Sequence, residues 1–140
     1  MTAKQWLARG RWIEREITSL MKTRDETRDR LLHITQSYDS DGAQTSKDPH
    51  KFDALLELED KLDDMIDKLY QTKNEILAVI DRLEDSRERI ALKTYYIDMK
   101  TWEEVCVELH YSWRQTMYIK KRALKNAEKV CIELHIIPDV

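Results

Sequence analysis

Residues 101–125, TWEEVCVELHYSWRQTMYIKKRALK, decide the fold because they contain two successive helix starts. Thr101 stands three positions before Glu104, and Ser112 stands three positions before Gln115. In this S/T-x-x-E/Q pattern the hydroxyl accepts a hydrogen bond from the backbone N–H of the fourth residue, whose side chain binds back to the first N–H. The segment therefore predicts a short helix, a tight turn and a second, longer helix.

The overall composition favours helices throughout the chain. Of the 140 residues, 36% are charged, while only two are glycine and two are proline. Because Gly and Pro supply most turn conformations, four of them leave little turn chemistry for a multi-stranded sheet. The composition excludes a β-sandwich, a barrel or a Gly-rich nucleotide-binding fold, and it predicts an all-α protein.

A long apolar seam precedes the capped segment. Starting at Phe52, apolar residues recur at alternating three- and four-residue steps, as in the seam of a coiled coil. There are eleven seam positions, nine of them apolar: Leu55, Leu58, Leu62, Met65, Leu69, Thr72, Ile76, Val79, Leu83, Ser86 and Ile90. The pattern predicts one continuous helix from about residue 50 to residue 97, roughly 70 Å long at 1.5 Å per residue.

The N-terminal region predicts a partner helix for this seam. Apolar residues repeat at helical spacing over residues 3–36, as one long helix or two closely joined ones. Residues 37–50, SYDSDGAQTSKDPH, are predicted to form a loop. We therefore expect a helical hairpin or coiled coil in residues 1–84 and a helix-turn-helix domain in residues 85–140. Since a long helix cannot bury its own seam, we also expect a homo-oligomer.

The charge is unevenly distributed along the chain. The formal net charge is −3, but residues 112–129 carry six Lys or Arg against the single acid Glu128. Residues 38–100 carry sixteen Asp or Glu against ten Lys or Arg. A basic helix therefore follows an acidic segment, which is compatible with nucleic-acid binding despite the negative total.

The second capped helix carries the candidate DNA contacts. A recognition helix reaches base edges with its N-terminal side chains and phosphates with flanking cations. Its exposed face is predicted to comprise Ser112, Trp113, Arg114, Gln115, Tyr118, Lys121, Arg122 and Lys125. Arg114 and Gln115 are the predicted base readers, because Arg can pair with guanine and Gln with adenine. Lys121, Arg122 and Lys125 are the predicted phosphate contacts.

The opposite face of the helix pair is predicted to pack inward. The inward residues are Val105, Leu109, Thr116, Ile119, Ala123 and Leu124, with Tyr111 filling the turn and Trp102 in the core. His110 stands at the turn, where Gly or Asn is more usual.

The capped segment resembles the helix-turn-helix of bacterial sigma factor region 4, which reads promoter DNA. The matching residues are Thr101, Glu103, Glu104, Val105, Glu108, Leu109, Ser112, Ile119, Ala123, Leu124 and Lys125. Residues 85–97, DSRERIALKTYYI, resemble the helix that precedes this motif. The whole chain is similar to small phage proteins related to the ArpU and RinA late-gene transcription activators. The resemblance implies a phage or prophage transcriptional regulator that binds double-stranded DNA.

The match with sigma factors also has departures. Where this chain has Trp113, Arg114 and Gln115, sigma factors commonly have Arg, Glu and Arg. The sequence that is read should therefore differ from an ordinary promoter element. The regions of a sigma factor that melt promoters have no counterpart here, so activity as a stand-alone sigma factor is not expected.

No pattern in the sequence predicts catalysis, a cofactor or a metal. There is neither a Gly-rich phosphate loop nor a nucleophile elbow, and the four histidines lie far apart without ligand spacing. Cys106 and Cys131 lack CxxC spacing and are predicted to be small buried apolar residues. No apolar run approaches the length of a membrane span, so we expect a cytoplasmic protein with no membrane contact. The resemblance to phage regulators implies that the cell is a bacterial host.

Two other functions fit the same pattern. A small terminase subunit of a DNA-packaging machine also joins a helix-turn-helix to oligomerising helices, although its DNA-binding module generally comes first. Alternatively, the module binds a protein in place of DNA, as when sigma region 4 itself docks on RNA polymerase. The acidic segment would then contact a basic surface of that partner.

Overall fold

The computed structural model describes residues 1–41 and 49–139, and all regular structure in these ranges is helical. The α-helices are α1 (Ala3–Ala8), α2 (Gly10–Asp41), α3 (Pro49–Asp81), α4 (Ser86–Leu92), α5 (Trp102–Leu109) and α6 (Trp113–Glu133). A π-helical turn, Lys93–Ile97, follows α4 directly. The predicted all-α class is confirmed.

The chain divides into two compact units. Residues 15–70 form one of them, which we call the hairpin unit. Residues 1–14 and 71–140 form the other, the C-terminal unit. The sequence-based division lay at residue 84, whereas the C-terminal unit also takes in α1, the start of α2 and the end of α3. Their apolar side chains, such as Leu7, Ile76 and Val79, are buried in it.

The two helical segments of the hairpin unit run antiparallel. The guanidinium of Arg24 donates to the carboxylate of Asp63 at 3.2 Å, and Arg28 pairs with Glu59. Moving four residues forward along α2 thus moves four residues back along α3, as two antiparallel helices require. Apolar side chains between them are buried, among them Ile17, Leu31, Leu55, Leu62 and Ile66.

The predicted single helix from residue 50 to residue 97 is wrong. Helix α3 ends at Asp81, and α4 begins at Ser86 behind an N-cap, because the carboxylate of Asp85 accepts the backbone N–H of Arg87 at 2.9 Å. The guanidinium of Arg89 donates to the carbonyl oxygens of residues 83 and 84, at 2.5 and 2.9 Å. These bonds satisfy carbonyls that a continuous helix would have used.

The predictions for the N-terminal half have a mixed outcome. The region preceding the loop consists of two closely joined helices, α1 and α2, as one of the two predicted alternatives had it. The predicted loop at 37–50 is too long, because α2 continues to Asp41 and α3 already starts at Pro49. The rest of that prediction, residues 42–48, lies outside the described residues.

A stack of four side chains joins the segments of the C-terminal unit. The guanidinium of Arg11 lies 4.0 Å from the ring centroid of Tyr95. The rings of Tyr95 and Trp102 stack at 4.4 Å with an angle of 19° between their planes. The ammonium of Lys120 lies 4.8 Å from the Trp102 ring. Cations over aromatic faces are stabilising, so the stack ties α2, the π-helical turn, α5 and α6 together. Trp102 is buried, as predicted.

The first residue of α2 has no room for a side chain. A Cβ atom on Gly10 would lie 2.8 Å from the carbonyl oxygen of Tyr96, which belongs to the backbone of the π-helical turn. The neighbouring Arg11 donates to the carbonyl oxygens of Tyr95, at 2.6 Å, and of Lys100, at 2.9 Å. The glycine and the arginine together hold the start of α2 against that turn.

Replacing Gly10 by Ala should therefore destabilise the protein. Within a helix, Ala is normally more stable than Gly by about 1 kcal/mol. Here, however, the added methyl group would clash with the backbone carbonyl of Tyr96, and overpacking of this kind costs about 1–3 kcal/mol. Urea unfolding followed by circular dichroism measures the effect. Ser19→Ala, at an exposed position of the same helix, is the control and should be neutral or slightly stabilising. A stabilised Gly10→Ala variant would contradict the close approach.

Candidate nucleic-acid interface

Helices α5 and α6 are joined by three residues, each of which has a defined role. His110 adopts the left-handed conformation, with φ of 58° and ψ of 39°, and its N–H donates to carbonyl oxygens in the last turn of α5. Tyr111 packs against the core cluster that contains Trp102 and Ile119. Ser112 is the N-cap of α6. A left-handed residue after the last helical turn is a frequent helix stop, so the connection is short and fixed.

Both predicted capping boxes are present. The hydroxyl of Thr101 accepts the N–H of Glu104 at 3.2 Å, and the carboxylate of Glu104 accepts the N–H of Thr101 at 3.2 Å. The hydroxyl of Ser112 accepts the N–H of Gln115 at 3.2 Å, and Gln115 Oε1 accepts the N–H of Ser112 at 3.0 Å. Local hydrogen bonds therefore fix where each helix begins.

The inward face of the pair agrees with the prediction in most positions. Val105, Thr116, Ile119 and Ala123 are buried. The two remaining predicted residues, Leu109 and Leu124, are half-buried. With this face packed, the opposite face of α6 is turned to solvent.

Four of the predicted contact residues share one exposed face of α6. Arg114, Tyr118, Lys121 and Lys125 follow one another at steps of four, three and four residues, which places them on one side of a helix with 3.6 residues per turn. All four are exposed, and the side chain of Tyr118 is 67% exposed. We call these four residues the basic stripe.

The other predicted residues near the start of α6 lie beside this stripe. Trp113 is half-exposed at 51%. Gln115 is exposed, but its side-chain oxygen already accepts the N–H of Ser112 in the cap. Since pairing with adenine needs both the oxygen and the amide nitrogen of Gln, Gln115 would have to release the cap before it could read a base.

Arg122, a predicted phosphate contact, is engaged with two acids of the same unit. Its guanidinium pairs with the carboxylate of Asp85 and lies 3.5 Å from that of Glu88. Glu88 is buried, and it also accepts the side-chain amide of Asn126 at 2.6 Å. These bonds join α6 to α4. Because buried charges need partners, the contacts of Arg122 have a structural role.

The pKa of the Asp85 carboxyl group is lowered by its neighbours. The guanidinium of Arg87, which donates to its carboxylate at 2.9 Å, holds the pKa of Asp85 below its usual value, and the charge of Arg122 lowers this pKa further. Asp85 therefore stays ionised over a wide pH range, as N-cap of α4 and as partner of two arginines.

A cleft of about 620 Å³ lies between the first turn of α4 and the exposed face of α6. Its lining includes Arg87, Tyr111, Arg114, Tyr118, Lys121 and Arg122. Arg87 also reaches the hydroxyl of Tyr111 at 3.5 Å. Arg87 was not among the predicted contacts, because the sequence pattern placed it inside a continuous helix. The Asp-Ser pair that precedes it is an N-cap signal that could have revealed the start of α4.

Within residues 1–41 and 49–139, no three His, Cys, Asp or Glu side chains converge to hold a metal ion. Cys131 is buried as predicted, and burial raises the pKa of its thiol. Cys106 is half-buried, so the prediction of burial was wrong for this residue. None of the helices in the described ranges is long and apolar enough to cross a membrane.

The fold and the site define an all-helical protein with a basic exposed helix face. Residues 35–129 match the model of the family described as "Protein of unknown function (DUF1492)", which is more than half of the chain. The chain therefore belongs to that family. No curated protein and no solved structure matches it. The matched range starts within α2 and ends within α6, so it includes the basic stripe.

Replacing Asp85 by Asn tests the junction between α4 and α6. Asn also caps helices well, so the change removes the charge and keeps the cap. The pKa of Asp85 is lowered in the folded state, so its charge stabilises the fold above about pH 4, and this contribution is lost as the pH falls through the lowered value. We expect a loss of about 1 kcal/mol at pH 7 for a partly exposed charged hydrogen bond, and a smaller difference from the parent protein as the pH falls through the lowered pKa of Asp85.

Urea unfolding at pH 7, 5 and 3 measures this difference. Asp53→Asn, at an exposed position of α3, is the matched control and should change little at any of these pH values. An equal loss of stability at pH 3 and pH 7 would contradict a role for the charge of Asp85.

Proposed function

We propose that this protein is a sequence-specific DNA-binding transcriptional regulator that inserts α6 into the major groove as the recognition helix of a helix-turn-helix. The observation that carries the proposal is the basic stripe of Arg114, Tyr118, Lys121 and Lys125, which lies on one exposed helix face. Clustered cations on one helix face are the electrostatic footprint expected of a nucleic-acid binder.

The arrangement of the two capped helices supports this proposal. The α5–α6 connection is three residues long, and the core packs one side of α6 while the other side stays accessible. In a helix-turn-helix the second helix reads base edges with its N-terminal residues. The stripe starts at Arg114, in the first turn of α6, and continues for three turns, so its N-terminal end would meet bases and its later cations phosphates.

The proposed DNA contacts are of two kinds, contacts to bases and contacts to phosphates. Arg114 is the proposed base reader, because it is exposed at the start of α6 and its guanidinium can pair with both acceptors of guanine. Lys121 and Lys125, further along the stripe, would contact phosphates. Arg87 on α4 faces the same cleft as Arg114. On exchanging its ion pair with Asp85 for a phosphate, it would add a contact from a second helix. Arg122 would chiefly hold α6 against α4.

The sequence resemblance supports the biological setting of the proposal. The α5–α6 segment is similar to sigma factor region 4, and the chain is similar to the ArpU and RinA late-gene activators of phages. On this basis the protein would act in the cytoplasm of a bacterial host, on phage or prophage promoters, as an oligomer, with RNA polymerase as a further partner. It would act without a cofactor and would not be an enzyme.

A second candidate function is docking to a basic protein surface through α5. Glu103, Glu104, Val107 and Glu108 are exposed on this helix, and Val107 is 73% exposed. An apolar residue within an acidic face suits a partner with cations around an apolar contact. A module of this kind would bind protein whether or not it also bound DNA.

Salt-dependent binding tests the DNA proposal. Fluorescence anisotropy with a labelled mixture of short genomic duplexes should show binding that weakens linearly in log K against log salt, with a slope of about −3 for the three proposed phosphate contacts of Lys121, Lys125 and Arg87. Lys121→Ala and Lys125→Ala should each weaken binding to every duplex and reduce that slope by about 1. Lys22→Ala, at an exposed position of the hairpin unit, is the control for a general loss of charge.

Three results would count against the proposal. Absence of binding at 50 mM salt would favour the protein-docking alternative. An equal loss for Lys22→Ala and Lys121→Ala would remove the specific role of α6. A particle of about eight or more copies would favour a DNA-packaging ring over a regulator.

A further inference from the structure

The two sides of the hairpin unit differ in character. On one side, ion pairs cross between the helices: Arg24 with Asp63, and Arg28 with both Glu59 and Asp63. These pairs neutralise charges within one chain.

Apolar residues form a row along the side without these ion pairs. Leu58, Met65 and Leu69 of α3 are spaced by seven and four residues, and Leu20 and Ile34 of α2 by fourteen, so each set lies on one helix face. Leu58 is 38% exposed and Met65 is 41% exposed. Leu20, Ile34 and Leu69 are half-buried. The row extends over about 21 Å along α2, at 1.5 Å per residue.

Two pairs of oppositely charged residues border the apolar row, and the two pairs lie at different positions along the helix axes. The pairing of Arg24 with Asp63 and of Arg28 with Glu59 sets the register, so Glu26 of α2 lies level with Lys61 of α3. By the same register, Arg30 lies level with Glu57. Helical periodicity places each of these residues beyond the apolar row, on the outer edge of its own helix. The members of each pair therefore point away from each other within one chain.

These four flanking residues lack partners within the described part of the chain. Glu26, Arg30, Glu57 and Lys61 are all exposed. None of them has an ion pair within 4.0 Å among residues 1–41 and 49–139. The apolar row is thus bordered by one acid and one base on each helix, and these charges are available to a partner.

We propose that a second copy of this chain covers the row, with a two-fold axis parallel to the helices. This symmetry places α2 of one copy beside α3 of the other, at the same height and antiparallel. Lys61 then meets Glu26 of the second copy, and Arg30 meets Glu57 of the second copy. The two-fold axis repeats both pairs, so four ion pairs border a shared apolar core.

The resulting assembly is an antiparallel four-helix bundle. Bundles of this kind bury core residues at the facing positions and set partner choice with charges at the edges. A two-fold interface must be complementary to itself, and the acid and base that lie level on the two helices satisfy this requirement. The intrachain ion pairs remain on the outside of the bundle.

The molecular mass of the full chain in solution tests the bundle. Sedimentation equilibrium at tens of micromolar should give twice the 16.8 kDa of one chain. Leu58→Lys combined with Met65→Lys places two charges in the proposed core and should give the mass of one chain. The matched control is Leu32→Lys combined with Leu56→Lys, which changes two exposed leucines of the same helices outside the row and should leave the dimer intact. Circular dichroism establishes that each variant is folded.

A charge reversal tests the register of the interface. Lys61→Glu creates two repulsive contacts with Glu26 of the other copy and should raise the dimer dissociation constant roughly tenfold. Adding Glu26→Lys restores attraction and should recover most of that loss. A structural effect of residue 61 alone would not be repaired by a change on another helix.

Several outcomes would overturn the inference. These are a monomeric parent protein, a folded Leu58→Lys and Met65→Lys variant that stays dimeric, or equal dissociation of the control variant. Failure of Glu26→Lys to rescue Lys61→Glu would overturn the two-fold arrangement. None of these measurements involves DNA, so they stand or fall independently of the proposed function.

Discussion

The stack of Arg11, Tyr95, Trp102 and Lys120 is the interaction on which the rest of the C-terminal unit depends. Its four members come from α2, the π-helical turn, α5 and α6, which are far apart in sequence. A cation at each end and two stacked rings in the centre fix the distance between these segments. Burial lowers the pKa of Lys120, and the charge of Lys4 on α1 lowers it further. With α5 and α6 held in this way, the basic stripe is presented on a rigid support.

The sequence predicted those parts of the fold that are set by local hydrogen bonds. The capping boxes at Thr101 and Ser112 were found because all their partners lie within four residues. The break between α3 and α4 was missed because the apolar seam continues through Leu83 and Ile90. Between the two helices Asp85 caps α4 and Arg89 donates to the carbonyls of residues 83 and 84, and apolar periodicity reveals neither set of bonds. The packing of α1 in the C-terminal unit is likewise a contact between distant parts of the chain.

In the candidate site, too, local patterns were predictable from the sequence and contacts between distant residues were not. Helical periodicity was sufficient to place Arg114, Tyr118, Lys121 and Lys125 on one exposed face. It could not separate Arg122 from them, because the acids that hold Arg122 lie on α4, more than thirty residues away. A Gln in the first turn can act as cap or as base reader, and in the described structure the cap accounts for Gln115.

The central claim is that the exposed face of α6 contacts DNA, and chemical-shift mapping tests it most directly. Amide spectra of the ¹⁵N-labelled protein would be recorded while a duplex of its bound sequence is added at low salt. The account predicts the largest shifts in the first three turns of α6 and at Arg87, and small shifts along the hairpin unit. Shifts confined to the acidic face of α5, with α6 unchanged, would contradict it.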